Sequence, residues 1–392
     1  MFHLGWFVGK GYSVHGWNQP YSGTIGTDWI KPDLYIDLAK ALDRACFDYM
    51  LIEDGSFVSD AYQGSSDYYL KNAYAVPKAD PVPLTPLIAY FTKRVGIIPT
   101  VTTSFYPPFL AARMGATLDH LTNGRLGLNI VTAHNDRSAQ NYGLERHYEH
   151  DLRYEMAAEW MQIVNALWTS WQPDAVQAST ETGIFTDPSK VAPIHFEGRF
   201  YKCRGPLNIP PGPQGRPVIA QAGGSPAGMA FAAGHADTTI AKLRTIEAAK
   251  AFRSKMTDLT RAIGRDPKSI KILFSTSIIL GDTMEEAQEK HARLVAQQKD
   301  LIETKLAGTV ISAWSISPNT TWTNPCPPSP RTHPACHSNP ICTARAPRHC
   351  ETCCWIPAAE AWTSSAPRIA SPSRWPRPWK KSAATASCSR TP

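Results

Sequence analysis

The fold is indicated by strand–turn–helix units such as the one at residues 217–226, which reads PVIAQAGGSP. The apolar run predicts a buried strand, the two glycines predict a tight turn, and Ser225 followed by Pro226 is typical of a helix start. The N–H groups of Gly224 and Ser225, with the Ser225 hydroxyl, are suited to hold a phosphate at the helix N-terminus. A plain strand–helix connection capped by Ser225 or Pro226 explains the same residues equally well.

Strand and helix patterns alternate on both sides of this unit. Strands are predicted at residues 2–8, 47–53, 95–100, 126–132, 217–222, 236–241 and 270–280. Helices are predicted at residues 34–45, 83–93, 109–121, 148–171, from 225 onward, 245–262 and 284–305. This βα alternation predicts an α/β protein with a parallel sheet, and eight such units with right-handed crossovers close a TIM (β/α)8 barrel. The seven predicted strands leave the barrel one strand short.

The composition divides the chain into a barrel domain at residues 1–317, with a Pro- and Gly-rich insertion at 173–216, and an aberrant tail at 318–392. The tail holds nine Lys and Arg against two Asp and Glu, and seven of the nine cysteines. The remaining residues balance 31 basic against 31 acidic side chains. The excess positive charge behind the net charge of +7 therefore lies in the tail, and we predict no nucleic-acid or membrane surface on the barrel domain. The scarcity of cysteine before the tail, with no apolar run of membrane-spanning length and no signal-peptide pattern, favours a cytoplasmic enzyme.

The tail itself has three interpretations: a disordered segment, a Cys/His metal site, or the product of a shifted reading frame. The cysteines at 350, 353 and 354 lack a second, regularly spaced ligand pair, so no metal is predicted. Back-translated codons read from their third base permit an ordinary loop at 317–327. At 378–392 they permit a helix end, a glycine turn and an apolar strand. We therefore interpret 318–392 as a frameshifted, disordered tail that has replaced the eighth strand, with the break near residues 312–317.

Candidate binding residues follow the predicted strands, where the function of an α/β barrel is concentrated. Asp54 ends one apolar strand, where its carboxylate could accept hydrogen bonds from a ligand or cap the next helix. Thr100 could bind a ligand edge or its own backbone. His134, which follows Asn129–Ala133, could shuttle protons as a neutral imidazole or be a solvated loop residue. The aromatic side chains of Trp17 and Tyr106 could wall a pocket, although core packing is the more common role.

The start of the long helix supplies a further candidate pair. His150 and Tyr154 are four residues apart and therefore share one helix face, from which both could donate hydrogen bonds to a phosphate or a sugar-alcohol hydroxyl. An exposed helix start without a ligand is the simpler interpretation. The sequence contains no GxGxxG after a strand, no P-loop, no HExxH and no GxSxG motif.

Six short stretches occur together and in order: ATLDHLTNGR at 116–125, NIVT at 129–132, NYG at 141–143, EHDLRY at 149–154, RGPL at 204–207 and QAGGS at 221–225. Together they resemble the flavin-dependent monooxygenases of the bacterial luciferase-like superfamily. Within it, the likeness is to the group that contains nitrilotriacetate monooxygenase, pristinamycin synthase, dibenzothiophene-sulfone monooxygenase and long-chain alkane monooxygenase. The resemblance extends from the N-terminus to about residue 315.

The resemblance implies a luciferase-like TIM barrel that binds FMN through Asp54, Thr100, His150, Tyr154, Gly224 and Ser225. It implies His134 as a proton donor or hydrogen-bonding residue. It also implies reduced FMN from a separate NAD(P)H:flavin oxidoreductase, O2 and a small organic substrate, in a homodimer or homotetramer. A deazaflavin F420-dependent oxidoreductase of the same superfamily and an inactive truncated product remain alternatives.

Overall fold

A computed structural model of the chain describes residues 3–9, 17, 23–299 and 306–308. The strands are β1 (Gly5–Val8), β2 (Tyr49–Ile52), β3 (Gly96–Thr102), β4 (Gly127–Val131), β5 (Val176–Ser179), β6 (Ile184–Thr186), β7 (Phe196–Glu197), β8 (Lys202–Cys203), β9 (Val218–Gln221), β10 (Thr238–Ala241) and β11 (Lys271–Phe274). The helices are α1 (Ile25–Asp28), α2 (Asp33–Arg44), α3 (Asp67–Lys71), α4 (Pro81–Tyr90), α5 (Pro108–Leu121), α6 (Asp136–Asn141), α7 (His150–Trp168), α8 (Pro226–His235), α9 (Ile246–Ala262) and α10 (Met284–Lys299).

Seven of these strands form one parallel sheet in the order β1-β2-β3-β4-β9-β10-β11. Within the described residues no ladder joins β11 back to β1, so the sheet has two free edges there. The strand order and the helical crossovers are consistent with a TIM barrel. The predicted replacement of the eighth strand and the tail at 318–392 lie outside the described residues.

The central strands β2, β3, β4, β9 and β10 are largely buried on both faces, as expected for parallel strands covered by helices, whereas β1 and β11 are more exposed. On the inner face Leu51, Ile98 and Ala220 form one apolar cluster, packed against Tyr49 and Ile240. Alternate residues point outward, because side chains along a strand switch faces at every position. Met50, Ile52 and Ile97 accordingly pack with the buried side chains of α2 and α4. The carboxyl ends of the strands therefore meet at one edge of a firmly packed sheet.

All seven predicted strands are present, but the last one is much shorter than predicted. We expected a strand over 270–280, whereas β11 ends at Phe274. Its neighbour β10 ends at Ala241, which is the register partner of Phe274, so the chain beyond Phe274 has no strand to pair with. The apolar side chains of Ile278 and Leu280 are consequently exposed. Helix α10 is described only to Lys299, so the predicted end at residue 305 lies outside the described part.

The insertion at 173–216 contains two short antiparallel hairpins, β5–β6 and β7–β8, where the sequence predicted irregular structure. It is fastened to α7 by the Glu159 carboxylate, which accepts hydrogen bonds from the backbone N–H groups of Arg199, Phe200 and Tyr201 at 2.7–2.9 Å. The short helices α1, α3 and α6 were not predicted, because segments of four to six residues carry too little periodicity. Among the described residues, no helix combines the length and the apolar composition needed to cross a bilayer.

Candidate active site

The turn between β9 and α8 has the geometry of an anion-binding helix start. Ser225 is the N-cap of α8, and its Oγ accepts a hydrogen bond from the Gly228 N–H at 3.1 Å. The capping interpretation is therefore confirmed. It is compatible with ligand binding, since the cap uses an oxygen lone pair and leaves the hydroxyl hydrogen available to donate. The space beside Gly224 is open, because a Cβ built there would have no atom within 4 Å.

Helix α7 brings Tyr154 and His150 to this turn. A Cβ placed on Gly228 would lie 2.9 Å from the Tyr154 hydroxyl oxygen, and one placed on Gly223 would lie 3.1 Å from it. The His150 and Tyr154 rings are neighbours, with centroids 5.2 Å apart, as their spacing predicted. Tyr154 and Ser225 therefore meet at the N-terminus of α8, with His150 beside them, in a set of donors suited to a phosphate.

A cavity of about 580 Å³ opens between α7 and α8 next to this cluster. Tyr154 lines it, together with Phe231 and His235, and the carboxylates of Asp151 and Glu155 also face it. These two carboxylates would repel an anion. None of Asp54, Thr100 and His134 lines the cavity, so it is a groove beside the donor cluster rather than the centre of the candidate site.

The inner face of the sheet carries a polar row at the level of Thr100. Register pairs join Thr100 to Asn129, Asn129 to Ala220, and Ala220 to Thr238. The Thr100 hydroxyl donates to the Ile52 carbonyl oxygen at 2.8 Å and accepts from Asn129 Nδ2 at 2.9 Å. Asn129 Oδ1 and Thr238 Oγ1 are buried without a hydrogen-bond partner among the described residues. Leaving such atoms unpaired costs about 1–3 kcal/mol each, which a polar ligand edge would recover.

This hydrogen-bond chain sets the orientation of the Asn129 amide. The Ile52 carbonyl can only accept, so the Thr100 hydroxyl must donate to it and can then only accept from Asn129. The amide nitrogen of Asn129 therefore faces Thr100, and its oxygen faces away. Thr100 was expected to bind either a ligand or its own backbone. Its hydrogen is committed to the backbone of the adjacent strand, and the acceptor left without a partner among the described residues is Asn129 Oδ1.

Asp54 lies just beyond the end of β2 and is partly buried. Burial, as the largest effect, raises the pKa of its carboxyl group. A hydrogen bond from the Gly55 backbone N–H opposes this rise, as does the charge of Lys78, whereas the carboxylates of Asp80 and Glu53 reinforce it. The capping alternative is wrong for the next helix, because the N-cap of α3 is Ser66.

His134 follows the central strand β4 and is exposed at the carboxyl ends of the strands. The protein packed around its ring nevertheless lowers the pKa of the imidazole by desolvation, and the Arg153 charge lowers it further, against an opposing effect of Glu53. A neutral His134 near pH 7 follows.

Two neighbours of His134 were not singled out in the sequence. His147 accepts a hydrogen bond from the Tyr148 N–H through Nδ1 (2.9 Å), so its Nε2–H donates to the Thr132 carbonyl oxygen (3.0 Å). Burial, followed by the Arg153 charge, lowers the pKa of His147 to about 4. Arg153 is itself buried, at 7% exposure. No sequence signal identified either residue, since each belongs to a loop or helix start whose orientation depends on tertiary packing.

The two predicted aromatic residues occupy different surroundings. Burial, followed by the charges of Asp80 and Asp54, raises the pKa of Tyr106 to about 12, which locates its hydroxyl near those carboxyl groups. The Trp17 ring instead lies beside Gly26, in the segment of α1. The shared aromatic wall therefore stays a prediction. The cysteines at 350–354 lie outside the described residues, as does any metal site built from them.

Comparison with known proteins identifies the family of this chain. A family model described as luciferase-like monooxygenase matches residues 11–318. The chain belongs to the luciferase-like monooxygenase family. It is 39% identical over 280 residues to dimethyl-sulfide monooxygenase of Hyphomicrobium sulfonivorans, covering 71% of this chain and 58% of the relative. It is 34% identical over 289 residues to dibenzothiophene-sulfone monooxygenase of Rhodococcus erythropolis strain XP, covering 74% and 64%.

These relatives confirm the predicted group, which also includes a nitrilotriacetate monooxygenase component and a pristinamycin IIA synthase chain. The chain spans about three fifths of the length of the curated relatives it matches. The crystal structure of DmoA from Hyphomicrobium sulfonivorans superposes with a TM-score of 0.69 at 35% identity, over 75% of this chain and 64% of DmoA. A riboflavin lyase with modified FMN and riboflavin superposes at 0.68 and 27% identity, over 74% and 66%. An F420-dependent secondary alcohol dehydrogenase, at 0.50 and 17% identity over 69% and 68%, shares the fold alone.

Proposed function

We propose that this chain is the oxygenase component of a two-component, FMN-dependent monooxygenase. It would take reduced FMN from a separate NAD(P)H:flavin oxidoreductase and use O2 to oxygenate a small organic substrate. The observation that carries the proposal is the donor cluster of His150, Tyr154 and Ser225 at the start of α8, on the strand edge where the polar row of Thr100 and Asn129 also lies.

The described residues fit FMN at both ends. A phosphate needs donors and a positive helix end, which the turn at Gly224 and Ser225 supplies with the Tyr154 hydroxyl. A flavin ring carries N–H donors and carbonyl acceptors, and Asn129 Oδ1 and Thr238 Oγ1 are buried polar atoms without partners in the described part of the chain. We assign Asp54, Thr100, His150, Tyr154, Gly224 and Ser225 to the cofactor site, with Asn129 as an additional member.

Bound reduced FMN would supply the electrons that activate O2, and this chemistry belongs to the cofactor. The protein positions and shields the reacting groups. Thr100 holds the Asn129 amide in one orientation, and the apolar cluster of Leu51, Ile98 and Ala220 below it keeps water out of the sheet interior. His134, uncharged near pH 7, is placed at the strand edge to donate or accept a proton.

Two other functions compete with this one. An F420-dependent oxidoreductase would use the same barrel, but the F420-dependent secondary alcohol dehydrogenase is only 17% identical to this chain, against 27% for the riboflavin lyase with modified FMN. An inactive product is the second alternative, because the sheet has free edges at β1 and β11 within the described residues. FMN is favoured by the more similar relatives. The relatives are named for a sulfide, a sulfone and an aminocarboxylate, which differ widely in structure. We therefore propose the substrate only as a small organic molecule.

The test compares FMN, riboflavin and F420 binding by the full chain and by Tyr154→Phe. We expect FMN to bind more tightly than riboflavin, because of these two only FMN carries the phosphate. Tyr154→Phe should reduce this preference for FMN about tenfold. Tyr201→Phe, which changes a partly buried tyrosine in the insertion, is the matched control. Oxygen uptake with a flavin reductase and a panel of organosulfur substrates then tests catalysis. Tight F420 binding without FMN binding would replace the proposal by its first alternative.

A further inference from the structure

The backbone that leaves β4 takes an unusual course before it reaches His134. Ala133 has a positive φ of 51°, in the left-handed region that non-glycine residues rarely adopt. Such a conformation persists only where the surrounding structure enforces it. The turn at residues 132–134 must therefore be held by contacts from other elements.

Three side chains from other elements hold this turn by its carbonyl oxygens, and the Thr132 hydroxyl adds a longer bond of 3.4 Å to the Ala133 carbonyl oxygen. Ser104 Oγ donates to the Thr132 carbonyl oxygen at 2.7 Å, and the His147 ring donates to the same oxygen at 3.0 Å. Arg153 Nη1 donates to the carbonyl oxygen of Ala133 at 3.0 Å, and so bonds the strained residue itself. After His134 the chain is fixed again, because Asn135 caps α6 by accepting from the Ser138 N–H at 3.1 Å.

Arg153 is an energetically unfavourable residue at this buried position. It is buried on α7, and within the described part of the chain it forms no ion pair, while its Nε has no hydrogen-bond partner. Burying an unpaired charge disfavours folding, and a neutral side chain of similar volume would cost less. Its presence at this position is therefore better explained by an effect on its neighbours than by stability.

We propose that Arg153 is a positioning residue for His134: it clamps the Ala133 carbonyl and so fixes the direction in which the His134 side chain leaves β4. This inference rests on the proposed function in one respect, which is the proton-transfer role of His134. The clamp itself is a property of the described residues and does not require a bound flavin.

The charge of Arg153 has a second effect on the same site. It lowers the pKa of both His134 and His147, in each case after the larger effect of burial. Glu53 raises the pKa of His134. The pKa of His147 is raised by the hydrogen bond to the Thr132 carbonyl and by Asp136, and is lowered by His134. Arg153 is in turn influenced by Glu149, Asp136 and Tyr154. One side chain thus holds the turn that carries His134 and adds to the effect of burial in lowering the pKa of its ring.

The experiment follows the ring signals of His134 by NMR in the full chain labelled at histidine Cε1, without flavin, with His134→Gln for assignment. In Arg153→Gln we expect the pKa of His134 to rise, because the neighbouring positive charge is lost, and its resonance to move. Arg153→Lys keeps the charge and a donor, and should return the pKa of His134 toward that of the wild type. If neither the pKa nor the resonance position of His134 changes in Arg153→Gln, the proposal is wrong.

Arg265→Gln is the matched control. Arg265, which follows α9, donates from Nη1 to the Ala233 carbonyl oxygen of α8 at 3.0 Å, and its charge lowers the pKa of the nearby His235. It resembles Arg153 in these two respects, although it also lies 3.9 Å from Asp237. This substitution should raise the pKa of His235 and leave His134 unaffected. Should Arg153→Gln not fold, the double variant with Ala133→Gly supplies the test. Glycine adopts the left-handed turn without strain, yet the charge is still missing, so the pKa of His134 must still rise.

Turnover gives a readout that depends on the proposed function. Where FMN-supported oxygen uptake is measurable, Arg153→Gln should lower it by about 10–100-fold through misplacement of His134, with partial rescue by Arg153→Lys. A chain that binds no FMN would contradict the proposed function, while the NMR titration would still decide the role of Arg153. Turnover that is equal in the glutamine and lysine variants would contradict the positioning role.

Discussion

At the scale of single residues, the most informative contact is the one between Thr100 and Asn129. We expect Thr100→Val to weaken FMN binding by about 1–2 kcal/mol, because the Asn129 amide loses the acceptor that fixes its orientation. Thr100→Ser retains the hydroxyl and should bind FMN nearly as well as the wild type. The measurement is fluorescence titration with FMN, with folding checked by circular dichroism. Equal affinities for the valine and serine variants would mean that the orientation of the amide is unimportant.

The pH dependence of stability depends in part on His147. Its pKa is about 4 in the folded chain against an ordinary value of 6.5, so between these values the unfolded chain binds more protons. The free energy of unfolding should therefore fall as the pH is lowered from about 6.5 to about 4. His147→Gln keeps a donor and an acceptor but does not titrate, so it should reduce this slope.

Urea unfolding at a series of pH values measures that slope. A residual slope of the same sign is expected in His147→Gln, because burial also lowers the pKa of His134 and His235. His147→Phe removes the titration together with both hydrogen bonds, and should lower stability at every pH in the series. An unchanged slope in the glutamine variant would show that His147 does not contribute.

At the scale of elements, the approach of α8 to α7 determines where Tyr154 lies. A Cβ at Gly228 would come within 2.9 Å of the Tyr154 hydroxyl oxygen and 3.1 Å of Ser225 Oγ, so Gly228→Ala must displace the Tyr154 hydroxyl and crowd the cap. We expect roughly a fivefold loss of FMN affinity with little change in riboflavin affinity. Gly234→Ala, on the same helix, has nothing within 4 Å of the new atom and serves as the control. Unaltered FMN binding in Gly228→Ala would argue against Tyr154 as a phosphate contact.

Elements were predictable from the sequence where one periodic signal decided them. The strand at β9 and the cap at Ser225 follow directly from the apolar run and the residues that end it. The end of β11 was not predictable, because it depends on how far β10 extends beside it. The candidate site divides in the same way. His150 and Tyr154 share a helix face that spacing reveals, whereas Arg153 acts through the Ala133 carbonyl, which only the folded backbone brings near.

At the scale of the whole molecule, the described sheet ends in two strands that each lack one neighbour. β1 pairs only with β2, and β11 pairs only with β10, within the described residues. Such edges are templates for pairing with other chains, and a closed barrel removes them. The match to the family model ends at residue 318, where the composition changes to a Cys- and Pro-rich tail. Both observations support the proposal that residues 318–392 come from a shifted frame.

Restoring the reading frame near residues 312–317 therefore tests the molecule as a whole. An eighth strand between β11 and β1 would cover both edges, so we expect the frame-restored chain to be more soluble and to unfold at a higher temperature. The FMN contacts proposed here all precede residue 318, so the preference for FMN over riboflavin should be similar in both chains. Sequencing the gene comes first, and a single intact frame through this region would refute the frameshift. A restored chain no more stable than the present one would show that the barrel does not need these codons.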